Sequence, residues 1–214
     1  MKLIGAHLSP YVRKVAAILA VKGIDYETEV VIPGMMPEDF ESISPLKKIP
    51  VLIDGDLVLP DSSVICEYLE EKYPSPSTMP SSPEDRASAR FLEEYGDTRL
   101  LEFMSVPFIE NFINPKLRQQ EPDEQRVRSA VEDSLPPVLD YLESRVPEQG
   151  FLFGHFCTAD IALVSPTINA AVGGYTVDAA RWPRYTAFIE RVKAHPPVAQ
   201  ALTIENEAMA AMLG

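Results

Sequence analysis

Cysteine and histidine are scarce in this chain of 214 residues, which contains two cysteines and three histidines. Cys66 and Cys157 are too few for a disulfide framework or a four-thiolate metal site. His7, His155 and His195 lack the spacing of metal ligands. We therefore expect no metal cofactor and a reducing compartment, with both cysteines serving as small buried apolar residues.

Positive charge and long apolar runs are also in short supply. The chain has 19 Lys and Arg residues against 32 Asp and Glu residues, so its formal net charge is −13. Such a charge repels nucleic-acid phosphates and anionic lipid, and no apolar run approaches the roughly 20 residues of a membrane-spanning helix. The first apolar stretch is interrupted at His7, before a signal-peptide core could form. We expect a cytoplasmic globular protein with no nucleic-acid or membrane partner.

The first 74 residues combine short apolar runs with helical periodicity, which predicts a βαβ unit with parallel strands, then a β-hairpin and a helix. In chain order the predicted elements are strand 2–7, helix 11–22, strand 26–32, hairpin strands 51–53 and 57–59 around an Asp-Gly turn, and a helix that follows Pro60 and ends before Pro74. The Asp-Gly pair is the strongest hairpin signal in the chain.

A proline- and serine-rich segment, residues 74–83, separates this part from a second part in which no strand is predicted. The predicted organisation is an α/β domain at 1–74, a linker at 75–83 and an all-helical domain at 84–214. Helical periodicity covers the segments 84–113, 123–146, 158–172 and 182–194. Because proline removes a backbone donor and clashes one turn back, we expect kinks or breaks at the internal prolines. These are Pro107, Pro136, Pro137 and Pro166.

Ser9 and Pro10 lie where the first strand meets the first helix, and two roles fit them. Serine at the N-cap followed by proline is a common helix start. The same place is where an α/β sheet presents groups to ligands, so Ser9 could instead hydrogen-bond a bound thiolate. Pro50 fits only the first position of an apolar strand, and the sequence leaves open whether its peptide bond is cis.

Four motifs in order resemble the cytosolic glutathione S-transferase family, and the resemblance covers essentially the whole chain. They are SPYVRKV at 9–15, KKIPVL at 47–52, PDSSVICEYLEEKYP at 60–74 and FCTADIAL at 156–163. The resemblance implies an α/β thioredoxin-like N-terminal domain with the order β-α-β-α-β-β-α and an all-α C-terminal domain. It also implies glutathione as co-substrate, a small electrophile as second substrate and a homodimer.

The resemblance implies a serine-type, bacterial-like enzyme, because Ser9 stands where the thiol-transferring members have cysteine. Ser9 would donate a hydrogen bond to the glutathione sulfur and favour the thiolate, without acting as a base or nucleophile. The backbone of Ile49, exposed by a cis Pro50, would pair with the cysteinyl part of glutathione like an added strand. Tyr11 would be either a second hydroxyl near the sulfur or an aromatic wall of the electrophile pocket.

Three polar residues would hold the ends of glutathione. Lys48 would meet the glycyl carboxylate, while Asp61 and Ser62 would take the ammonium and the carboxylate of the γ-glutamyl group. The simpler alternatives are that Asp61, Ser62 or Ser63 is only a helix cap, and that Lys48 is a solvated charge. Asp61 stands where the family more often has glutamate.

The electrophile pocket would be lined by the first helix of the second domain, where several large side chains share a face. They are Tyr95, Arg99, Phe103, Met104 and Phe108. Such a stripe is more often core than pocket. In the FCTADIAL motif, Asp160 is expected to close a capping box whose cap position is Cys157 or, shifted by one, Thr158.

The resemblance leaves the function open between a transferase and two alternatives. The main expectation is conjugation of glutathione to a hydrophobic electrophile in detoxification. Peroxidase, isomerase and dehalogenase activities use the same site, and the stringent-starvation regulators keep the architecture without the activity. Ser9, Lys48, Pro50, Asp61 and Ser62 all keep the residue types that glutathione binding requires, which favours an enzyme. His7 would be a wall residue, and Arg13 is unassigned.

Overall fold

The chain folds into two compact units in a computed structural model that describes residues 1–213, with side chains described for residues 1–210. One unit comprises Met1–Met79 together with the residues from Ala194 onward, and the other comprises Pro80–Lys193. The boundary at Met79 falls within the predicted linker.

The first unit is built on a four-stranded sheet with the order β2-β1-β3-β4. Its strands are β1 (Lys2–Ile4), β2 (Glu27–Glu29), β3 (Val51–Asp54) and β4 (Leu57–Pro60). The predicted parallel pairing of β1 with β2 and the predicted β3–β4 hairpin are both confirmed. The strands β1 and β2 are shorter than the predicted runs, because the chain turns away from the sheet soon after Gly5 N–H bonds Glu29 C=O.

Two helices of this unit follow the predicted pattern. Helix α1 (Pro10–Val21) buries an apolar face that includes Val15 and Ile18, and helix α2 is Ser62–Lys72. The helix implied between β2 and β3 is only a single 3-10 turn at Phe40–Ser42. The fold class is therefore confirmed as a small mixed sheet with helices, followed by helices alone.

The segment predicted as a linker is held against the first unit at its beginning. The buried Lys22 Nζ forms an ion pair with Glu70 Oε2 at 2.8 Å and donates to the carbonyl of Pro76. Glu70 in turn accepts hydrogen bonds from Ser77 Oγ and from Thr78 N–H. Burial alone would raise the pKa of Glu70, but hydrogen bonds from Lys22, Ser77 and Thr78 together lower it.

The second unit is helical over its described elements. They are α3 (Pro83–Tyr95), α4 (Leu101–Phe108), α5 (Glu124–Ser129), α6 (Leu135–Arg145), α7 (Thr158–Val172) and α8 (Pro183–Lys193). Three of these α-helices, α3, α4 and α5, are extended by π-helical segments, at Gly96–Leu100, Ile109–Arg118 and Ala130–Ser134. The sequence pattern predicted ordinary α-helix over 84–113 and 123–146.

The internal prolines act in different ways. Pro136 and Pro137 are the second and third residues of α6, which directly follows a π-helical segment, so the hydrogen-bond register changes where the two N–H groups are missing. Helix α7 runs through Pro166 and helix α4 runs through Pro107, so neither proline breaks its helix. Pro166 deprives the Ala162 carbonyl of its usual donor, and Gly96 lies so close to that oxygen that an added Cβ would be 2.6 Å from it.

The capping box of α7 forms at the predicted residues. Cys157 is the N-cap, and Asp160 Oδ2 accepts its backbone N–H at 2.8 Å, while Asp160 Oδ1 accepts the N–H of Leu152 at 2.9 Å. Burial raises the pKa of Asp160 to about 6, although these hydrogen bonds act in the opposite direction. Both cysteines are buried, as expected.

The last helix, α9 (Pro196–Leu213), groups with the first unit and packs against α1. The sequence analysis assigned these residues to the helical domain and predicted no helix after residue 194. Their place follows from long-range packing, including a buried ion pair between Arg13 and Glu205. No local pattern around either residue indicates this partner.

Candidate functional site

The register of the sheet brings three predicted site segments to one edge. Ile4 at the end of β1 pairs with Val51 at the start of β3, and Val51 pairs with Pro60 at the end of β4. The chain beyond these paired residues carries Ser9, Ile49–Pro50 and Asp61–Ser62. Residues far apart in sequence are therefore presented at the same end of the sheet.

Gly5 allows two of these segments to approach closely. A Cβ at this position would clash with Val12 Cγ2 on α1 and would stand 3.4 Å from Ile49 Cβ. The first turn of α1 and the segment before β3 thus share the space that a side chain at Gly5 would occupy. Sequence reasoning read Gly5 only as part of a strand and missed this role.

Ser9 is the N-cap of α1, with Pro10 as the first helical residue. Its Oγ accepts the backbone N–H of Val12 at 3.4 Å, and its own N–H donates to the carbonyl of Ala6 at 3.0 Å. A serine oxygen that accepts from an amide keeps its hydroxyl hydrogen as a donor. The capping role and the thiolate-binding role are therefore compatible in one side chain.

The peptide bond between Ile49 and Pro50 is cis, and both residues are buried. The buried Ser44 holds the preceding residue, because its Oγ accepts the N–H of Lys48 at 3.2 Å and donates to the Lys48 carbonyl at 2.7 Å. The Lys48 side chain itself is exposed, which fits both the predicted contact with a carboxylate and the simpler alternative of a solvated charge. Ser44 carries no sequence signal beyond its type.

Asp61 and Ser62 form the start of α2. Asp61 Oδ1 accepts the N–H groups of Ser63 and Val64 at 2.9 and 3.2 Å, so its capping role is real. Its φ of +84° is strained for a residue with a side chain, and such strain concentrates at functional sites. Ser62 is buried, while Asp61 is exposed.

A buried lysine supports this helix start. Lys14 is fully buried on α1, and its Nζ donates to Ser63 Oγ at 3.1 Å. The contact ties α1 to the first turn of α2, next to Ser62. A lysine in the helical pattern of α1 looks solvated from the sequence alone, so this role was missed.

The residues predicted to line an electrophile pocket divide between surface and core. Tyr95 is half-buried against Tyr141, with ring centroids 4.7 Å apart, and burial raises its pKa. Arg99 is exposed and lies over the ring of the half-buried Phe103, 4.6 Å from its centroid. Phe108 is buried and stacks on a neighbouring phenylalanine.

Met104 is fully buried. For Met104 and Phe108 the core interpretation therefore fits the burial better. Tyr11, in the first unit, is half-buried in the first turn of α1.

The second unit has an open cleft of about 360 Å³ that the sequence did not predict. Asn111 Nδ2 donates to the carbonyl of Gly173 at 2.8 Å at its edge, and a Cβ on Gly173 would clash with Pro107. The lining residues are Pro107, Asn111, Glu124, Val127, Arg128, Val131, Glu132, Gly173, Gly174 and Tyr175. The Gly173-Gly174 pair after α7 is the only sequence signal for it.

Over the described side chains, no cluster of three or more His, Cys, Asp or Glu residues could hold a metal ion. Among the described helices, none combines the length and apolarity needed to cross a bilayer.

A mixed sheet that presents a helix N-terminus and a cis-proline segment at one edge, with a separate helical unit, defines the class of thioredoxin-like proteins that carry a helical domain. Models of the glutathione S-transferase N-terminal and C-terminal domains match residues 3–77 and 107–203. The chain is 31% identical to a maleylacetoacetate isomerase from Pseudomonas aeruginosa over 94% of its own length and 95% of that protein. The chain belongs to the glutathione S-transferase family.

Two further similarities bear on function. A stringent starvation protein A homologue from Pasteurella multocida is 45% identical, but only over 38% of this chain and 39% of that protein. The crystal structure of a glutathione S-transferase from Rhodospirillum rubrum F11 superposes with a TM-score of 0.83 at 28% identity, covering 94% of this chain and 91% of the other.

Proposed function

We propose that the protein is a serine-type glutathione transferase that stabilises the glutathione thiolate with Ser9 and conjugates it to a hydrophobic electrophile. One observation carries the proposal: Ser9, the cis Ile49–Pro50 segment and Asp61–Ser62 meet at one edge of the sheet. In this proposal Ile49 pairs with the peptide backbone of glutathione, and Asp61 and Ser62 hold its γ-glutamyl end. Lys48 holds the glycyl carboxylate.

Thiol activation then needs no general base. The thiolate is the nucleophile, and a hydrogen bond from the Ser9 hydroxyl together with the positive end of α1 favours it over the thiol. A hydrogen bond to a charged group contributes about 1.5–3 kcal/mol, which corresponds to lowering a pKa by about one to two units. Proton loss to solvent and positioning of the sulfur complete the activation.

The test is a pH titration of glutathione bound to the protein, followed by the ultraviolet absorbance of the thiolate. Wild type should bind glutathione saturably. The pKa of the bound thiol should lie at least one unit below that of free glutathione, because a hydrogen bond of about 1.5–3 kcal/mol stabilises the thiolate. Ser9→Ala should still bind but should lose most of this shift and most of its turnover. Unchanged turnover in Ser9→Ala would move the role to Tyr11 or to a backbone N–H.

Ser82→Ala is the matched control. Ser82 is also an N-cap followed by proline, and its Oγ accepts the N–H of Asp85 at 3.0 Å at the start of α3. Both substitutions remove a cap and cost about 1 kcal/mol of stability. Only Ser9→Ala should change glutathione chemistry.

Two other functions have specific support. The similarity to a maleylacetoacetate isomerase over nearly the whole chain supports glutathione-dependent isomerisation by the same thiolate. The high identity to stringent starvation protein A homologues over part of the chain supports a non-catalytic protein that acts through protein contacts. Isomer substrates turned over without net glutathione consumption would favour the first, and no binding at millimolar glutathione would favour the second.

We also propose that the protein works as a cytoplasmic homodimer, as the family resemblance implies. Sedimentation at micromolar concentration tests the dimer directly, and a monomer there would overturn it.

A further inference from the structure

A buried ion pair joins the last helix, α9, to the first turn of α1. The Arg13 side chain is 1% exposed, and the Glu205 side chain on α9 is 6% exposed. Arg13 Nε donates to Glu205 Oε2 at 2.6 Å, and its Nη2 donates to Glu205 Oε1, so the pairing is bidentate. The two residues are 192 positions apart in the sequence.

Attachment of one helix to another does not require such a pair. Removing two charges from water is costly, and well-packed apolar side chains often join helices with equal or greater stability. A bidentate arginine–carboxylate contact differs in that its planar fork accepts one orientation. The Arg13–Glu205 pair therefore specifies where α1 lies relative to α9, as well as holding the two together.

The turn of α1 that carries Arg13 also carries Ser9 at its N-cap, so fixing Arg13 fixes this turn. The backbone N–H of Arg13 donates to the Ser9 carbonyl at 2.9 Å, and the neighbouring Val12 N–H donates to Ser9 Oγ. A cavity of about 20 Å³ between His7, Arg13 and Glu205 borders the same turn. The first turn of a helix frays easily, because its N–H groups lack helical partners. A rigid contact at Arg13 restrains the turn that orients the Ser9 hydroxyl.

We propose that Glu205, acting through Arg13, positions Ser9 for thiol activation, so that the C-terminal helix belongs to the working parts of the site. This inference rests on the proposed function. Arg13 and Glu205 are positioning residues and need not touch glutathione.

The first test compares Glu205→Gln with Glu70→Gln. Both replace a buried, paired carboxylate of the first unit with an amide of the same shape, but Glu70 pairs with Lys22, just beyond the far end of α1. Glu205→Gln should lower kcat about tenfold and raise the pH at which bound glutathione ionises, since small displacements of a reacting group cost this much or more. The KM for glutathione should change less than about twofold, because the proposed binding residues lie on other segments.

Glu70→Gln should leave kcat, KM and the ionisation of glutathione close to wild type. Arg13→Lys retains the charge but loses the fork, so it should fall between wild type and Glu205→Gln. Equal losses in Glu205→Gln and Glu70→Gln would show a general stability effect and would overturn the inference.

The second test needs no glutathione. Amide hydrogen exchange at Val12 and Arg13 should quicken in Glu205→Gln but not in Glu70→Gln. If wild type binds no glutathione, the proposed function fails, and this comparison alone decides whether Glu205 positions the Ser9 turn. Unchanged exchange in a folded Glu205→Gln overturns the inference even if wild type is an active transferase. Should Glu205→Gln not fold, Arg13→Lys carries the same comparison.

Discussion

Replacing Asp160 with asparagine tests how burial sets the charge of the residue that caps α7. The carboxylate accepts two backbone N–H groups, from Leu152 and Cys157. An asparagine can accept one of them but presents its NH₂ group to the other. The variant therefore leaves a buried donor unpaired, and at a pH above the folded pKa, where Asp160 is ionised, wild type should be more stable by about 1–3 kcal/mol.

This advantage should depend on pH in a direction that the pKa of Asp160 determines. A carboxyl whose pKa is higher in the folded than in the unfolded state contributes stability below the unfolded pKa and loses it as the pH rises through the folded pKa. For Asp160 these values are 3.8 and about 6, and at about 1.4 kcal/mol per pKa unit the whole loss is about 3 kcal/mol.

About 1.4 kcal/mol of this loss falls between pH 5 and 7.5, by integrating the proton linkage over that range. Lower pH is best avoided, because the sequence pI is near 4.7 and low net charge favours precipitation. Asparagine does not titrate. The advantage of wild type over Asp160→Asn should therefore shrink by about 1.4 kcal/mol as the pH rises from 5 to 7.5.

Urea unfolding followed by tryptophan fluorescence measures this difference. Trp182 is the only tryptophan of the chain, lies buried in the same unit and donates to Asp140 Oδ1 at 2.7 Å. Asp123→Asn, at the exposed cap of α5, is the control. The free energy of unfolding of Asp160→Asn relative to wild type must change more with pH than that of Asp123→Asn does. An advantage that grows with pH would refute the reasoning, because it would mean that the two amides stabilise the anion more than burial destabilises it.

Two further predictions concern the sheet edge. Gly5→Ala should destabilise the protein and weaken glutathione binding, because a Cβ there clashes with Val12 and crowds Ile49; urea unfolding and a glutathione titration check both, and wild-type affinity would contradict the proposed site. Ser9→Cys should gain exchange with oxidised glutathione, since a thiol at a helix N-terminus ionises readily, attacks the glutathione disulfide and releases one reduced glutathione; mass spectrometry of the mixed disulfide checks this, and absence of exchange would mean that residue 9 does not face the glutathione sulfur.

Local patterns predicted the elements whose signals lie within a few residues. The Asp-Gly turn predicted the hairpin, and Ser9-Pro10 predicted the start of α1 to within one residue. Asp160 predicted the capping box because its partner, the N–H of Cys157, is three residues away. The family motifs predicted the order of the domains and the fold class.

Other features depend on packing that no local pattern encodes. The sequence left the Ile49–Pro50 bond open, and the structure has it as cis. The role of Ser44 depends on where the chain before β3 turns, and the role of Lys14 depends on the contact of its Nζ with Ser63 on α2. Pro166 predicted a kink or break in α7, but the helix continues through it. Gly96 packs there against the Ala162 carbonyl, a tertiary contact that no local pattern indicates.

The sequence by itself determined the types of most elements and the positions of the caps and turns, and its family motifs supplied the candidates for glutathione binding. Only the tertiary structure decided which of those residues share an edge, and that α9 packs with the first unit through Arg13 and Glu205. The physical reason is range. Hydrophobic periodicity and capping act over one or two turns, whereas strand register and a buried ion pair join residues that the sequence separates by tens to nearly two hundred positions.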